Sequence, residues 1–125
     1  MAMPRFAILE HTGAPDDPSG RHFDLLVEAG ESCRTWRLAA LPESGGEPVA
    51  AVELPPHRLA WLDHEAGDVS GGRGFARCVA RGDFTLVAGD LTGDADGDLV
   101  IGGVINGLRL QLARSSRGWV ASVDR

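Results

Sequence analysis

A chain of 125 residues with seventeen glycines and seven prolines has room for one hydrophobic core but too many chain-reversing residues for a helical bundle. Its formal charge is −6 and all twelve basic residues are arginine, a balance that disfavours coating nucleic-acid backbones, because such binding grows with the phosphates neutralised. No apolar run approaches the ~20 residues of a membrane-spanning helix, the Met1–Arg5 segment lacks a signal-peptide core, and Cys33 and Cys78 stand at no metal-ligand spacing, so a single cytoplasmic domain over 1–125 with reduced packing thiols and no membrane partner is expected.

Phe6 to His11 reads as a strand that ends on a histidine. Thr12 to Gly20 is a loop marked by Pro15, Asp16, Asp17 and Pro18. Arg21 to Glu28 then alternates polar and apolar residues, the pattern of a half-buried strand. Residues 22–28 and 34–39 form a hairpin that turns near Gly30 and Glu31. Pro42 to Pro48 is a loop and Val49 to Leu54 a strand, after which Pro55-Pro56 imposes an extended entry into His57. Leu59 to His64 has room for one turn of helix, and His64, between Asp63 and Glu65, reads as a surface residue. Gly67 to Gly74 is a glycine-rich turn. Phe75–Val79 and Phe84–Ala88 pair through an Arg81-Gly82-Asp83 turn, and Ile101 onward supplies the last strands. The sum is all-β: a small, mostly antiparallel β-barrel with short helical turns.

The chemistry concentrates early in the chain. Side chains two apart on a strand share a face, so His22 and Asp24 project together. With His11 they offer two imidazoles and a carboxylate, a donor set that holds a divalent metal at a barrel mouth and keeps positions open for substrate. The plainer alternative is one core histidine and two surface polar residues. Other features carry plainer readings. Asp90 to Asp98 lacks the glycine and the bidentate glutamate of an EF-hand in any one register. Ser70-Gly71-Gly72-Arg73-Gly74 lacks the ending and helix of a P-loop and reads as a tight turn. Arg73, Arg77 and Arg81 share a strand face if the strand is regular, as a nucleic-acid track or as a solvated face. The arginine bias itself is also what a GC-rich genome produces.

Four segments in order resemble one known family. Arg5-Phe6-Ala7-Ile8-Leu9-Glu10-His11, His22-Phe23-Asp24-Leu25 with Glu28, and Thr35-Trp36 are followed by Pro56-His57-Arg58-Leu59-Ala60-Trp61 with Glu65-Ala66-Gly67. Leu108 to Arg114 and Gly118-Trp119-Val120 close the series. Together they resemble the 3′-phosphoesterase domain of bacterial DNA ligase D, here as a stand-alone chain, and the resemblance spans essentially the whole sequence.

That resemblance implies that His11, His22 and Asp24 hold manganese, with zinc as the alternative ion, and that His57 sits by the scissile phosphate in support of catalysis. It implies DNA or RNA/DNA 3′ ends as partners, together with other repair proteins. Two positions depart from the family. Its arginine two residues after the metal aspartate is Leu26, and its tyrosine four residues after the later histidine is Trp61. An arginine at 26, on the same strand face as His22 and Asp24, would point into the site and fork onto phosphate oxygens, which leucine cannot do. Trp61 keeps an N–H donor but no phenolic oxygen. The family's lysine after the Ser-Trp pair is also missing, Arg37-Leu38-Ala39-Ala40 following Trp36. Arg21 and Arg73 are the candidates to bind phosphate instead, with Arg58 as a further source of charge. A chain without lysine cannot form the lysyl adenylate of a DNA ligase. Three functions are thereby expected to compete: a manganese-dependent 3′-phosphoesterase of reduced activity, a catalytically silent module that binds metal or nucleic-acid ends in a repair complex, and a small-ligand barrel with structural histidines.

Overall fold

The computed structural model describes residues 4–15, 17, 20–69, 71–89, 91 and 99–125. Its strands are β1 (Arg5–Thr12), β2 (Arg21–Ala29), β3 (Ser32–Leu38), β4 (Val49–Arg58), β5 (Ala66–Asp68), β6 (Phe75–Ala88), β7 (Leu99–Ile105), β8 (Leu108–Ser115) and β9 (Gly118–Asp124). A 3-10 turn over Leu59–Asp63 separates β4 from β5. All strands join one antiparallel sheet in the order β1-β2-β3-β4-β9-β8-β7-β6-β5, and β6 also pairs with β1. The ring thereby closes, as the all-β barrel expectation requires. Among the described residues, no helix is long and apolar enough to cross a membrane.

The pleat sorts the side chains into two clusters. Phe6, Ile8, Phe23, Leu25, Val27, Trp36, Leu38, Ala51, Phe84, Ile101, Leu112, Trp119 and Ala121 come from strands all round the ring and fill its interior. The opposite parity of β1, β2 and β3 supplies Ala7, Leu9, Leu26 and Cys33, which lie outside the barrel wall beneath Leu62 of the 3-10 turn, with Leu59, Trp61 and Cys78 packed alongside. Burial pushes the Cys33 thiol up to about 11, with a smaller push from the charge of Glu28 and an opposing pull from Arg5. It therefore stays a protonated packing group at neutral pH, and both cysteines are free thiols.

Two sequence expectations change. The hairpin through Arg81-Gly82-Asp83 does not form. Residues 75–88 are one long strand, β6, whose Phe75–Asp83 part pairs with β1 and whose Phe84–Ala88 part pairs with β7. Gly82 serves close packing and not chain reversal. A Cβ there would meet Asn106 Oδ1 at 2.8 Å and the Phe6 ring at 3.3 Å. The glycine-rich stretch also begins as strand, since Ala66–Asp68 pair with Phe75–Arg77 before the chain turns. Ser70 and the acidic segment from Asp90 to Asp98, apart from Leu91, lie outside the described residues.

β4 continues through both prolines to Arg58, because a bulge absorbs them. Cys33 pairs with His57 and Thr35 with Leu54, so one extra residue of β4 is accommodated there. That extra residue switches parity and brings Leu54 and His57 to the same outer face.

Inside the barrel, Gly103 lies against the buried Phe84 ring, where a Cβ would overlap the ring carbons. Gly103→Ala is expected to destabilise the protein by about 1–3 kcal/mol through overpacking. Chemical denaturation would read this as a lowered midpoint at unchanged slope; an unshifted midpoint would show that the Phe84 ring has room to move.

Candidate metal centre

His11 and His22 stand directly opposite each other across β1 and β2, and Asp24 follows two residues along the same face, opposite Leu9. One donor atom from each of His11, His22 and Asp24 lies within 4.8 Å of the others. The two imidazoles meet edge to face with centroids 4.8 Å apart. His11 Nδ1 is 3.9 Å from Asp24 Oδ2, and His22 Nε2 is 3.5 Å from Asp24 Oδ1.

The outer partners fix which ring nitrogen carries the proton. A carbonyl only accepts, so His11 Nε2–H donates to the Arg73 carbonyl at 2.7 Å. In the neutral ring this leaves the His11 Nδ1 lone pair toward Asp24. His22 Nδ1–H donates to the Asp17 carboxylate at 2.8 Å, leaving the lone pair on Nε2. Among the described residues His22 Nε2 and Asp24 Oδ1 are buried without a hydrogen-bond partner. Buried polar atoms without partners are costly. A cation shared by these lone pairs removes that cost, and a histidine held by a carboxylate or carbonyl on its far nitrogen is the usual outer arrangement of a metal ligand. The residues thus fit a divalent ion, and this group can hold one.

The centre is not at the barrel mouth, as the sequence reading placed it. It lies on the outer wall, because His22 and Asp24 have the parity opposite to Phe23 and Leu25 of the interior. A cavity of about 680 Å³ opens over it, lined by His11 and Asp24 on one wall and by Leu54, Pro55, Pro56, His57, Arg58 and Trp61 on the other. Arg37, Arg73 and Val69 complete its sides. His57 Nδ1–H donates to the Pro55 carbonyl at 3.1 Å, so Nε2 is the nitrogen with the lone pair in its neutral form. The turn carrying Arg73 is seated by Gly74, whose φ of 95° and close approach to the Thr12 carbonyl leave no space for a side chain.

The structure therefore gathers His11, Asp24, His57, Arg58, Trp61 and Arg73 around one cavity, with His22 directly behind them. It does not bring in Arg21. That side chain has the other parity, pairs with Glu10 at 3.5 Å and lies over the Phe23 ring. Nor does Leu26 face the cavity. It is fully buried with Ala7, Leu9, Cys33 and Leu62, so the 3-10 turn covers the place where an arginine was expected to project. His64 is not a plain surface residue either. Its Nε2–H donates to the Ala76 carbonyl at 2.9 Å and its ring packs at 4.8 Å from that of Trp61.

Arg37 was missed by sequence reasoning. It is paired in register with Asp24 across β2 and β3, and its Nε lies 3.9 Å from Asp24 Oδ1. The signal available was parity, since Arg37 is two residues from the outward Thr35, but nothing local set the β2–β3 register. Fold and site together define a small antiparallel β-barrel bearing a two-histidine, one-carboxylate centre on its wall. No family model matches the chain, and no curated protein matches it.

Two outcomes follow from this geometry. Asp17→Ala removes the acceptor that orients His22 and is expected to weaken divalent-metal binding by about 10- to 100-fold with the fold intact; calorimetry with Mn²⁺ or Zn²⁺ showing wild-type affinity would contradict the assigned role of Asp17. Leu26→Arg places an uncompensated charge in a closed apolar cluster and is expected to cost about 3–5 kcal/mol of stability, readable as a collapse of the thermal midpoint. A stable Leu26→Arg protein would mean that the cluster opens toward the cavity.

Proposed function

We propose that this protein is a divalent-metal-dependent phosphoesterase that acts on the 3′ ends of DNA or primer-templates in DNA repair, in the manner of the ligase D phosphoesterase domain that its sequence resembles. One observation carries the reading. His57, far from His11, His22 and Asp24 in sequence, lines the same cavity as the metal-competent group. This shared cavity is what supports a joint role for the four residues.

A divalent ion on these donors would supply Lewis acidity toward a phosphoryl oxygen. Manganese is the ion that the resemblance implies, and zinc is the alternative that the same donors accept. The side chains do the remaining work. Asp17 and the Arg73 carbonyl hold the two imidazoles in their binding tautomers. His57, with Nδ1–H engaged by Pro55, presents Nε2 as the atom that takes or returns a proton. The Trp61 indole stands where the family has a phenol and offers an N–H donor at most. Pro55 and Pro56 give the cavity an apolar side.

A second reading, a metal- or end-binding module without turnover in a repair complex, is favoured by Leu26 and Trp61. Both stand where the resembled family keeps catalytic side chains.

Manganese-loaded protein is expected to release inorganic phosphate from a 3′-phosphate-terminated primer-template. His57→Ala should slow release about 10²- to 10⁴-fold, and His11→Ala or chelation should reduce it to background. Tight metal binding with no release would support the silent module. Release that survives both His11→Ala and chelation would overturn both readings.

A further inference from the structure

The cavity draws its walls from β1 to β4, the 3-10 turn and the start of β6. The outer side of β9, β8 and β7 lies elsewhere on the barrel. Ala51, Trp119, Ala121, Leu112 and Ile101 point into the interior, so their neighbours Ala50, Val120, Ala113 and Val100 point out. Strand register sets these four side by side in one row across β4, β9, β8 and β7. The next row holds Ser122, Gln111 and Gly102, and the third Asp124, Arg109 and Val104. Val120 and Val100 are 42% and 46% exposed. At the flanks stand Val52 and Val87, 61% and 63% exposed, the latter as the extra residue of a β6 bulge against Gly102. Single exposed valines are ordinary on a protein surface, but four on one face make a patch of the kind that marks a contact.

We propose that the outer face of β4, β9, β8 and β7 docks a second copy of this chain about a two-fold axis that runs along the strands between β9 and β8. The proposal is independent of the metal centre and of the phosphoesterase reading.

The pattern of the face is what selects a second copy. Such an axis keeps each row at its level and reverses the strand order, so β4 faces β7 of the copy and β9 faces β8. The first row alternates small and large, Ala50, Val120, Ala113, Val100, and its reverse alternates large and small. Every valine of the row then meets an alanine, as interdigitation of two packed sheets requires. The same operation sets Ser122 against Gln111 of the copy, an O–H and an amide able to exchange hydrogen bonds. In the third row it sets Asp124 against Arg109 of the copy, and Arg109 against Asp124. Within one chain these two lie 3.7 Å apart and leave about two thirds of each side chain exposed, at 69% and 68%, so a second pair can form across the axis.

The named residues of the first two rows carry no charge. Docking them against a like face removes no ion from water, whereas a nucleic-acid backbone finds no cation in them to hold. The size of the face sets the strength. Four strands at about 4.8 Å and the seven residues of β9 at about 3.3 Å span roughly 19 by 23 Å. That falls short of the ~800 Å² per partner of a stable interface, so the dimer is weak and reversible, with Kd on the order of 10–100 µM.

Analytical ultracentrifugation of the full chain over a concentration series should show a monomer at low concentration passing reversibly to a dimer. Val120→Glu puts a carboxylate at the centre of the face and should raise Kd at least about 100-fold, while the far-ultraviolet circular dichroism of the monomer stays unchanged. Asp124→Arg, at the rim, should raise Kd about 3- to 10-fold. Combining it with Arg109→Asp restores opposite charges across the axis and should return Kd toward wild type. A chain that stays monomeric up to about 1 mM overturns the proposal. So does a dimer whose Kd ignores both Val120→Glu and the charge reversal, since it must form through another face. Cosedimentation with phosphatidylcholine vesicles that is lost in Val120→Glu, from a chain with no dimer, would give the face to lipid and overturn the proposal as well.

Discussion

β2 is covered on both faces, and its pleat divides two tasks that the rest of the molecule must respect. Phe23, Leu25 and Val27 fill the barrel, while His22, Asp24 and Leu26 build the outer wall. Because side chains alternate strictly along a strand, a slip of one residue would exchange these sets and bury two imidazole-facing polar groups among Phe6, Trp36 and Trp119. The large apolar residues therefore lock the register of the His11, His22 and Asp24 group that can hold a metal ion. His11 meets His22 only because β1 is fixed against both β2 and β6 by the same interior packing.

The cavity depends on elements that leave the regular ladder. A bulge in β4 spends its extra residue at the two prolines and so turns His57 outward, and the Leu59–Asp63 turn then lays Leu62 over Leu9 and Leu26. On the other side, the turn before β6 is drawn against Thr12 by Gly74, which brings the Arg73 carbonyl to His11. One histidine is thus oriented by a backbone oxygen and the other by a carboxylate. Both supports come from segments outside the ring, so the barrel can stay rigid while the site is assembled around it.

Charge follows the same division. Arg34 is held by Glu53 and lies over the touching rings of Trp36 and Trp119, 5.0 and 5.6 Å from their centroids, where it serves packing. The guanidinium groups at the cavity stand in a different setting, next to Asp24 and His57.

Periodicity in the sequence was enough for the strand class and for the shared face of His22 and Asp24, because each depends on residues a few positions apart, whereas Leu59 to His64 showed only room for the short turn that forms after β4. Spacing alone left His11 open, and the resemblance to a known domain pointed to His57. The shared cavity, the outward bulge, the long unbroken β6 and the position of Arg37 were decided only by tertiary structure. Gly82 looked like a turn because glycine permits one, but the Phe6 ring and Asn106 required the space that its missing side chain leaves. Leu26 shared the parity of the metal ligands, yet parity says nothing about what lies above a face, and the 3-10 turn closed over it. Arg37 entered the site through β2–β3 register, which the packing of the barrel interior sets and no local pattern encodes.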